Sequence, residues 1–550
     1  AASSGDEVWV ACGTYKPTTG SNRSISYSMK NGVAIYGGFQ GTETTRNQRS
    51  LTCGSCSILS GEIGTANLND NSYDVVRNEQ IALNSSSIID GFIIRDGYDI
   101  RTANNDTGGL GGGIYNRGIN SANPCNPTIN NCIFTNNTAV FGAGIFNHGS
   151  YGRHTNPSIN NCIFYNNIAT DGGAAIDNFG IGGGSSASPT ISNSLFYSNT
   201  ALTEGAIYNW GGNAGSASPV ITNCTFANNT ATNGNAGAII ADNSNTSGGN
   251  SGTSNPTLKN CIVWGNTASA IGNQFYCKGT STFTATYSAI DLTNQTSPHV
   301  ISGTGTGNIS TNPLFVMQSD INGTDNCFLS NDDGLRLQNT SPCIDGGDTI
   351  GIADTDIAGN PRLSDNTVDM GAYEYSNLIL PITLLNFLGE VQNKQHLLSW
   401  ATATSFNSSH FEVERRNYNT TFSSIGNIAN KQQGAITLTY QFIDEQPLPG
   451  VNYYRLKQVD FDGKFSYSKS IALLGKQHEM QVFPNPAQEQ IQLNGLPQGG
   501  IVTVRNSLGQ IMLQLQYSGE SSNINTENWP SGIYYLHSSE VEQGTRFIKE

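Results

Sequence analysis

A phrase of about 31 residues recurs through the first half of this chain and restricts what the chain can fold into. Each copy holds an Asn-Pro-Thr-Ile-like run, then Asn-Cys-x-Phe-x-x-Asn, then a Gly-Gly-Ala-Ile-x-Asn-like run. One isoleucine of the phrase returns at intervals of 31, 31, 31 and 32 residues, at Ile114, Ile145, Ile176, Ile207 and Ile239. So regular a period is typical of proteins that stack one structural unit upon the next.

Each copy contains short runs in which apolar positions alternate, separated by Asn, Gly or Ser. Strands this short cannot bury a face alone, so neighbouring copies must cover them. Three strands per copy, stacked about 4.8 Å apart, predict three parallel sheets around one dry core, which is a parallel β-helix. We expect Ile129, Cys132, Phe134 and Ile114, with their equivalents, to lie inside it.

Two kinds of column run through the copies. We predict that the cysteine column packs as small buried side chains, because a serine fits once; its members are Cys132, Cys162, Ser194, Cys224 and Cys261. We expect the asparagine columns that begin at Asn131 and Asn137 to take positive φ and to hydrogen-bond the same residue one coil away. Outside the columns, Cys53 and Cys56 fit a disulfide better than a zinc site, because no second Cys or His pair accompanies them.

Composition limits the classes of partner. The formal charge is −15, yet only 12% of residues are charged, against roughly 25% in an average soluble domain. Basic residues do not cluster, so the sequence predicts no nucleic-acid binding. No run of 18 apolar residues occurs, so it predicts no transmembrane segment. The chain begins at Ala1 without a Met or a signal peptide, which predicts a processed or trimmed start.

The repeat motifs carry a family resemblance. Runs such as Gly205 to Ile207 and Phe226 to Asn229 resemble those of polymorphic outer-membrane proteins and related right-handed β-helix adhesins. The flanking runs Asp6 to Tyr15 and Val33 to Glu43 resemble the opening coils of secreted bacterial pectate-lyase-like helices. The resemblance implies a right-handed helix with N-terminal coils at 1–107 and a repeat array at 108–270.

Two motifs mark the end of the predicted helix. Ser341 to Asp348 and Asp369 to Glu374 resemble the closing segment of choice-of-anchor β-helix proteins. That resemblance implies closing coils at 271–376. Long alternating runs such as His396 to Trp400 then predict a seven-strand sandwich at 377–474, with a hairpin turn at Asp462 and Gly463. The run Tyr453 to Tyr467, which contains this hairpin, resembles fibronectin-III-like modules of secreted Bacteroidetes proteins.

The last segment, 475–550, carries the most specific resemblance. From its residues alone it predicts a small antiparallel sandwich, so the expected fold class is all-β: a right-handed parallel β-helix followed by two small β-sandwich domains. Its motifs resemble the type A sorting domain of the type IX secretion system, and the matching residues are Pro484, Asn485, Pro486, Gly532, Ile533 and Tyr534. The resemblance implies export across the outer membrane by the type IX secretion machinery, to the cell surface or the extracellular space.

Catalytic chemistry on a β-helix needs a cluster of side chains. Lyases place calcium-binding acids beside an Arg or Lys base, and inverting hydrolases place two or three carboxylates within about 10 Å. No outward column between Gly108 and Ala270 stacks acids with a base. Asp171 and Asp177 share a repeat, but we expect no acidic neighbour one coil away. We therefore assign no catalytic residue and no resident cofactor; an enzyme would depend on loop residues such as Arg153 and His154.

Two other groups are candidate sites. The acidic stretch Asp345, Asp348, Asp354 and Asp356 fits a calcium site, with turn capping as the alternative. Alternation along the strands predicts that six aromatic residues point outward: Tyr115, Phe146, Tyr165, Tyr197, Tyr208 and Trp264. If they are exposed, they would form stripes that bind sugar rings or another copy of the chain. If they are covered by loops, they would only stack between coils.

These patterns favour an exported structural or adhesive protein that associates head to tail into a filament or coat. The alternative is a polysaccharide lyase or hydrolase, or a glycan-binding protein, on a pectate-lyase-like helix.

Overall fold

A computed structural model of the 550-residue chain describes residues 2–51, 56–102, 108–245, 251–293, 295, 306–323, 325–330, 332–363, 366–375, 384–402, 408–418, 420–429, 438–460, 465–475, 480–496, 498–518, 521–539 and 541–550. Two short 3-10 helices, Arg46–Gln48 and Leu68–Asp70, accompany a large set of β-strands. The chain divides into two units, Ala1–Asn377 and Leu378–Glu550. The predicted all-β class is confirmed.

Four parallel sheets build the first unit, and we name them A to D in the order in which a coil visits them. Sheet A comprises Glu7–Ala11, Ala34–Phe39, Ile88–Asp90, Thr128–Asn130, Ser158–Asn160, Thr190–Ser192, Val220–Thr222, Thr257–Lys259 and Thr284–Thr286. Sheet B comprises Gly13–Tyr15, Ser57–Ser60, Ile93–Arg95, Ile133–Thr135, Ile163–Tyr165, Leu195–Tyr197, Thr225–Ala227, Ile262–Trp264 and Ala289–Ile290.

The other two sheets are shorter. Sheet C comprises Tyr98–Asp99, Thr138–Phe141, Ile168–Gly172, Thr200–Ala201, Thr230–Ala231 and Thr267–Ala268. Sheet D comprises Val76–Glu79, Ile114–Arg117, Ile145–His148, Ile176–Phe179, Ile207–Trp210, Ile239–Asp242 and Phe275–Lys278. Equivalent residues pair in register between coils, as Ile129 does with Ile159 and Phe134 with Phe164. This arrangement is the predicted parallel β-helix.

Sheet C corrects the prediction of three strands per coil. Its strand Thr138–Phe141 pairs with Ile168–Gly172, but the equivalent strand shrinks to two residues at Thr200–Ala201. A run of two residues shows no alternation, so the apolar pattern could not reveal this fourth strand.

Side chains of one type stack along the core. The rings of Phe134, Phe164, Phe196 and Phe226 are stacked with centroids 4.7, 4.9 and 4.3 Å apart. The cysteine column is fully buried, and its Cys132, Cys162, Cys224 and Cys261 are free thiols. Each thiol lies near a backbone carbonyl, as Cys132 Sγ does 3.1 Å from the Asn130 oxygen. The prediction that this column packs rather than cross-links is confirmed.

Buried asparagine amides form ladders between coils. In the column of Asn137, each Nδ2 donates to the next Oδ1: to Asn167 at 3.1 Å, then Asn199 at 2.9 Å, Asn229 at 2.9 Å and Asn266 at 2.8 Å. The predicted ladder is confirmed, but positive φ occurs one residue earlier, as at Asn136. In the column of Asn131, positive φ is confirmed, at 51° for Asn131 itself. A further ladder that we did not predict joins Asn78, Asn116, Asn147, Asn178 and Asn209 in sheet D.

The first coils are joined by a disulfide between Cys12 and Cys56. A cross-coil disulfide was one of the two forms predicted for this region. Cys53, which we considered with Cys56, lies outside the described residues.

Residues 306–375, which we name the return segment, correct the prediction of closing coils at 271–376. The last coil strands are Phe275–Lys278, Thr284–Thr286 and Ala289–Ile290. In the return segment the described residues are turns and isolated bridges that pack on the outer face of sheet B. Phe315, Ile321, Phe328, Leu335, Ile357, Met370 and Tyr373 join one buried cluster with Ile133, Ile163, Leu195, Tyr197 and Ile262 of that sheet.

Three corner asparagines attach the return segment. Asn193 Nδ2 donates to the Thr355 carbonyl at 2.7 Å, and Asn223 Nδ2 donates to the Asp369 carbonyl at 3.4 Å. Asn260 donates to the Asp348 carbonyl and accepts from its amide, both at 2.8 Å. The asparagine column that begins at Asn131 thus anchors the return segment, which is not itself part of the repeat.

A buried arginine completes this attachment. Arg362 donates to Asn193 Oδ1 at 2.9 Å and to the Ala372 carbonyl at 2.7 Å, and lies 3.3 Å from Glu374 Oε2. Its side chain has no exposed surface. The motif Asp369 to Glu374 therefore tethers the return segment to the coils.

The second unit is built from antiparallel sheets. Leu384–Gln392, Gln395–Thr402 and Leu438–Asp444 form one sheet; Ser408–Arg416, Ser423–Ala429, Val451–Asp460, Phe465–Tyr467 and Ile471–Leu474 form another. Trp400 is buried and stacks on Tyr440 with centroids 5.5 Å apart. The described residues of this region thus form eight strands, where seven were predicted. The predicted turn at Asp462 and Gly463 lies outside the described residues.

The remaining strands form two smaller sheets. Gln481–Phe483, Gln490–Asn494 and Ser522–Asn525 form one, and Ile501–Asn506, Ile511–Gln516, Gly532–Ser538 and Val541–Lys549 form the other. Ile491, Leu493, Val502, Val504, Tyr534, Leu536 and Phe547 form their common core. No helix in the described ranges has the length and apolarity that a membrane span needs.

Candidate functional site

The six outward aromatic residues do not form exposed stripes, which corrects that expectation. Tyr115, Phe146, Tyr197 and Tyr208 are buried, and Tyr165 and Trp264 are half-buried. Those on sheet B lie under the return segment; the Tyr197 hydroxyl, for example, donates to the Gln318 carbonyl at 3.0 Å. On sheet D, Tyr115 and Phe146 stack between coils with centroids 5.9 Å apart, whereas the ring of Tyr208 contacts Trp210 in its own strand. The six residues are thus covered, and cross-coil stacking describes Tyr115 and Phe146.

The outer face of sheet D nevertheless gathers the groups with most chemistry. Because the first and third residues of each four-residue strand, mostly isoleucine and asparagine, lie on the core side, the second and fourth face outward. The first outward column is Arg77, Tyr115, Phe146, Asp177, Tyr208, Ile240 and Tyr276. The second is Glu79, Arg117, His148, Phe179, Trp210, Asp242 and Lys278. Phe179, Trp210 and Tyr276 are half-buried and line the solvent side.

Asp177 interrupts a column of aromatic and aliphatic side chains. It pairs in register with Phe146 on one side and Tyr208 on the other. Only 1% of Asp177 is exposed, and its Oδ1 is buried without a hydrogen-bond partner. A buried carboxyl group without a hydrogen-bond partner lowers the stability of the folded state. Its presence in a packed column therefore indicates a functional role.

Two further carboxyl groups, of Asp171 in a strand of sheet C and of Glu204 in the next coil, lie near Asp177 where the chain passes from sheet C to sheet D. Gly172 and Glu204 pair between adjacent coils, and a Cβ on Gly172 would stand 2.7 Å from Glu204 Oε2. Gly173 has a φ of 66°, and a Cβ there would stand 2.9 Å from Asp177 Cβ. Asp171 accepts a hydrogen bond from the Thr203 hydroxyl. Because the two glycines have no side chains, Glu204 and Asp177 can pack directly against the backbone of residues 172 and 173.

A fourth carboxylate lies further along the face. The Tyr208 hydroxyl donates to Asp242 Oδ2 at 2.9 Å, and Lys278 Nζ lies 3.1 Å from the same oxygen. The lysine side chain is 48% exposed and the aspartate is fully buried. Asp242 therefore has a cation of its own, whereas no ion pair to Asp171, Asp177 or Glu204 is found in the described part of the chain.

Crowding of these acids changes their protonation. Burial, and then the charges of Glu204 and Asp171, raise the pKa of Asp177 well above the usual range of an aspartate. Burial, and then the charge of Asp171, raise the pKa of Glu204 from 4.5 to about 7. Carboxyl groups poised in this way are common at functional sites.

This protonation predicts how stability depends on pH. Folded Asp177 and Glu204 keep protons that the unfolded chain releases, so their contribution to stability falls as pH rises from about 4.5 to about 7. We expect the full chain to unfold at a lower temperature at pH 8 than at pH 5, measured by calorimetry.

Buried acids elsewhere act in the same direction, since burial also raises the pKa of Asp74, Asp333 and Glu374. A variant isolates the site: Asp177→Asn should raise the unfolding temperature at pH 8 and leave it nearly unchanged at pH 4. An equal change at both pH values would contradict the prediction.

The grouping corrects the expectation that Asp171 and Asp177 lack acidic neighbours in the next coil. Glu204 forms isolated bridges to the neighbouring coils and Asp177 lies in a strand of sheet D, so the two occupy different positions of the repeat and no column links them. Arg153 and His154, which we considered with them, lie elsewhere: Arg153 donates to the Ser150 carbonyl at 3.1 Å, and His154 Nε2 lies 3.1 Å from the Gly184 carbonyl.

The candidate calcium ligands have separate partners. Asp348 pairs with Lys259 Nζ at 2.8 Å, and Asp345 accepts from the Thr367 hydroxyl. Asp356 is buried and accepts from the amides of Ala358, Asn360 and Glu374. Asp354 is exposed. Among the described residues, no group of three or more His, Cys, Asp or Glu is placed to hold a metal ion, and the turn-capping alternative describes Asp356.

The predicted sorting residues cluster in the last two sheets. Asn485 accepts from the Ile548 amide at 2.9 Å, which attaches the Pro484 to Pro486 entry to the final strand. Gly532 and Ile533 open the strand Gly532–Ser538, and Tyr534 is buried in the core with its hydroxyl donating to the Pro530 carbonyl at 2.7 Å.

Comparison with known proteins identifies this last region. Residues 481–549 match the family model described as the secretion system C-terminal sorting domain. No curated protein matches the chain. The resemblance of residues 475–550 to a type IX sorting domain is thus confirmed by an independent family model.

Three solved structures are similar to parts of the chain. Dimeric latent PorU from Porphyromonas gingivalis is 12% identical, over 33% of this chain and 22% of that one, with a TM-score of 0.15. The FN1-FN3 domains of chicken CNTN1 are 12% identical over 30% and 64%, with a TM-score of 0.14. The BSP domain of a biofilm associated protein is 15% identical over 28% and 26%, with a TM-score of 0.12. The chain spans less than two thirds of each structure, and scores this low carry no argument.

Proposed function

We propose that this chain, which its C-terminal sorting domain marks as exported by type IX secretion to the cell surface or extracellular space, is an adhesive protein that binds glycans. The outer face of sheet D is the proposed glycan-binding surface. The observation that carries the proposal is the combination, on this one face, of half-buried aromatic rings with the carboxyl groups of Asp171, Asp177 and Glu204, which form no ion pair among the described residues.

The chemistry of the face fits sugars. Ring faces such as those of Trp210 and Tyr276 stack on the apolar faces of pyranose rings. Carboxylates such as Glu204 accept hydrogen bonds from sugar hydroxyls. Uronate and sulfated polymers would be repelled by the same carboxylates, so the proposed ligand is a glycan without anionic groups.

The scaffold suits an adhesive role. The asparagine ladders and the phenylalanine stack tie each coil to the next across the core. A face built on such coils keeps its side chains at fixed spacing, which lowers the entropy cost of binding an extended chain.

A glycan-binding assay on the full chain tests the proposal. We expect neutral polysaccharides to retard it in affinity electrophoresis and uronate polymers not to. Trp210→Ala should weaken binding about 3- to 10-fold, the usual effect of one aromatic contact. Tyr418→Ala is the matched control, because Tyr418 is 86% exposed and lies in the other unit. Absence of binding to every glycan without anionic groups would refute the proposal, and release of defined products would favour the lyase or hydrolase alternative.

Head-to-tail self-association is a second candidate property. The strand Glu7–Ala11 lies at the edge of sheet A, and its Val8 and Trp9 are 37% and 39% exposed. Exposed edge strands pair readily with other strands. Sedimentation of the full chain should then show assemblies that grow with concentration and that Val8→Pro reduces. A monodisperse monomer at high concentration would refute this candidate.

A further inference from the structure

We propose that Asp171, Asp177 and Glu204 form a subsite for a primary ammonium group, so that the ligand of sheet D is a glycan with free amino sugars. The inference rests on the proposed function, since it specifies which glycan the face binds.

The first argument is the exception that Asp177 makes within the repeat. Five of the six side chains that follow Arg77 in its column are aromatic or aliphatic, and they pack into two clusters, one with Tyr115 and Phe146 and the other with Tyr208 and Ile240. Asp177 lies between these clusters and belongs to neither. A hydrophobic residue at this position would join them, so the carboxyl lowers stability where the repeat offers a better choice.

The second argument is that Asp177 faces the other two acids without a partner. Its Oδ1 is buried and has no hydrogen bond, and the charges of Glu204 and Asp171 act directly on it. Gly172 and Gly173 have no side chains, so Glu204 and Asp177 pack closely against the same stretch of backbone. The result is an unpartnered carboxyl beneath two half-buried ones.

The third argument is the charge balance of the face. The groups that face the three acids are Tyr208, Asp242 and Lys278, and the lysine already pairs with Asp242. An ammonium group brings one positive charge and three N–H donors, which match three carboxyl acceptors.

The surrounding rings agree with this ligand. Trp210 and Phe179 lie in the neighbouring column with their centroids 5.3 Å apart, and both are half-buried. Aromatic faces attract cations and also stack on sugar rings. A sugar stacked there would carry its amine towards the carboxyl groups.

Binding should also release protons. Asp177 and Glu204 hold protons near neutral pH, first because they are buried and then because the neighbouring acids repel one another when charged. An ammonium group among them favours their ionised forms, so protons leave as the ligand binds.

The experiment compares two hexasaccharides that differ only in acetylation. Calorimetric titration of the full chain at pH 6.5 and physiological salt would use the β-1,4-linked glucosamine hexamer and its fully N-acetylated form. We expect the amine form to bind at least about tenfold more tightly, the effect of one charge-assisted hydrogen bond. Titration in two buffers of different ionisation enthalpy should show proton release for the amine form alone.

Two variants locate the effect. Glu204→Gln and Asp177→Asn should each reduce the preference to less than about twofold and leave binding of the acetylated hexamer unchanged. Glu445→Gln is the matched control, because it removes the same charge from an exposed residue of the other unit. Equal effects of all three variants would indicate non-specific attraction to an acidic protein and overturn the inference.

The remaining outcomes separate the two proposals. If both hexamers bind equally and the variants have no effect, the ammonium subsite is refuted and the glycan-binding face stands. If neither hexamer nor any neutral glycan binds, both proposals fail.

Discussion

Asn167→Leu should lower the free energy of unfolding of the β-helix by about 2 to 5 kcal/mol. Asn167 is fully buried; its Nδ2 donates to the Phe134 carbonyl and to Asn199 Oδ1, both at 2.9 Å. Its Oδ1 accepts from the Asn137 amide at 3.2 Å. Leucine keeps the approximate volume but leaves the buried N–H of Asn137 and the Phe134 carbonyl without these partners, and each loss costs about 1 to 3 kcal/mol. Denaturant unfolding of the full chain measures the change.

Asn160→Leu is the matched control in the same coil. Asn160 also belongs to a ladder, since it donates to Asn130 at 3.0 Å and accepts from Ser192 at 2.8 Å. It is half-buried on the outer side of sheet A, where water can replace both bonds. We expect a loss below about 1 kcal/mol. Equal losses for the two variants would show that burial of the ladder does not matter.

Arg362→Met should lower the stability of the first unit by about 3 to 5 kcal/mol, the usual effect of removing one partner of a buried ion pair. The substitution leaves Glu374, whose pKa burial raises to about 8, and the side chain of Asn193 without their partner. Hydrogen exchange should show the return segment losing protection before the coils do.

Arg46→Met is the control for this prediction. Arg46 pairs with Glu7 at 2.9 Å, but the two side chains are 46% and 40% exposed. Exposed pairs contribute about 1 kcal/mol or less. If Arg362→Met were no more destabilising than Arg46→Met, the return segment would not depend on its buried arginine.

The sequence predicts those features that depend on neighbouring coils. The Phe134 stack, the Cys132 column and the Asn137 ladder each follow from one position that recurs every 31 residues or so, because identical side chains one coil apart must meet. The sorting domain was also predicted, because its motifs at Pro484 and Gly532 are each formed by residues that are adjacent in the sequence.

Features that join different positions of the repeat were not predicted. Arg362 meets Asn193 across 169 residues, and no periodic pattern connects a repeated corner with a segment that does not repeat. Glu204 comes near Asp177 because a bridge residue of one coil lies beside a strand of another. The outward aromatic residues were placed on the correct face, but their burial depends on what covers that face, which alternation does not encode.

The return segment also restricts how this gene can change. Coils of a repeat array are easily duplicated or lost, since each contacts only its neighbours. Here Asn193, Asn223 and Asn260 each meet a different, fixed point of the return segment. A coil added or deleted among these three would displace the later contacts by about 4.8 Å, the spacing between strands. Evolution can therefore lengthen this array on the N-terminal side of Asn193 more readily than beyond it.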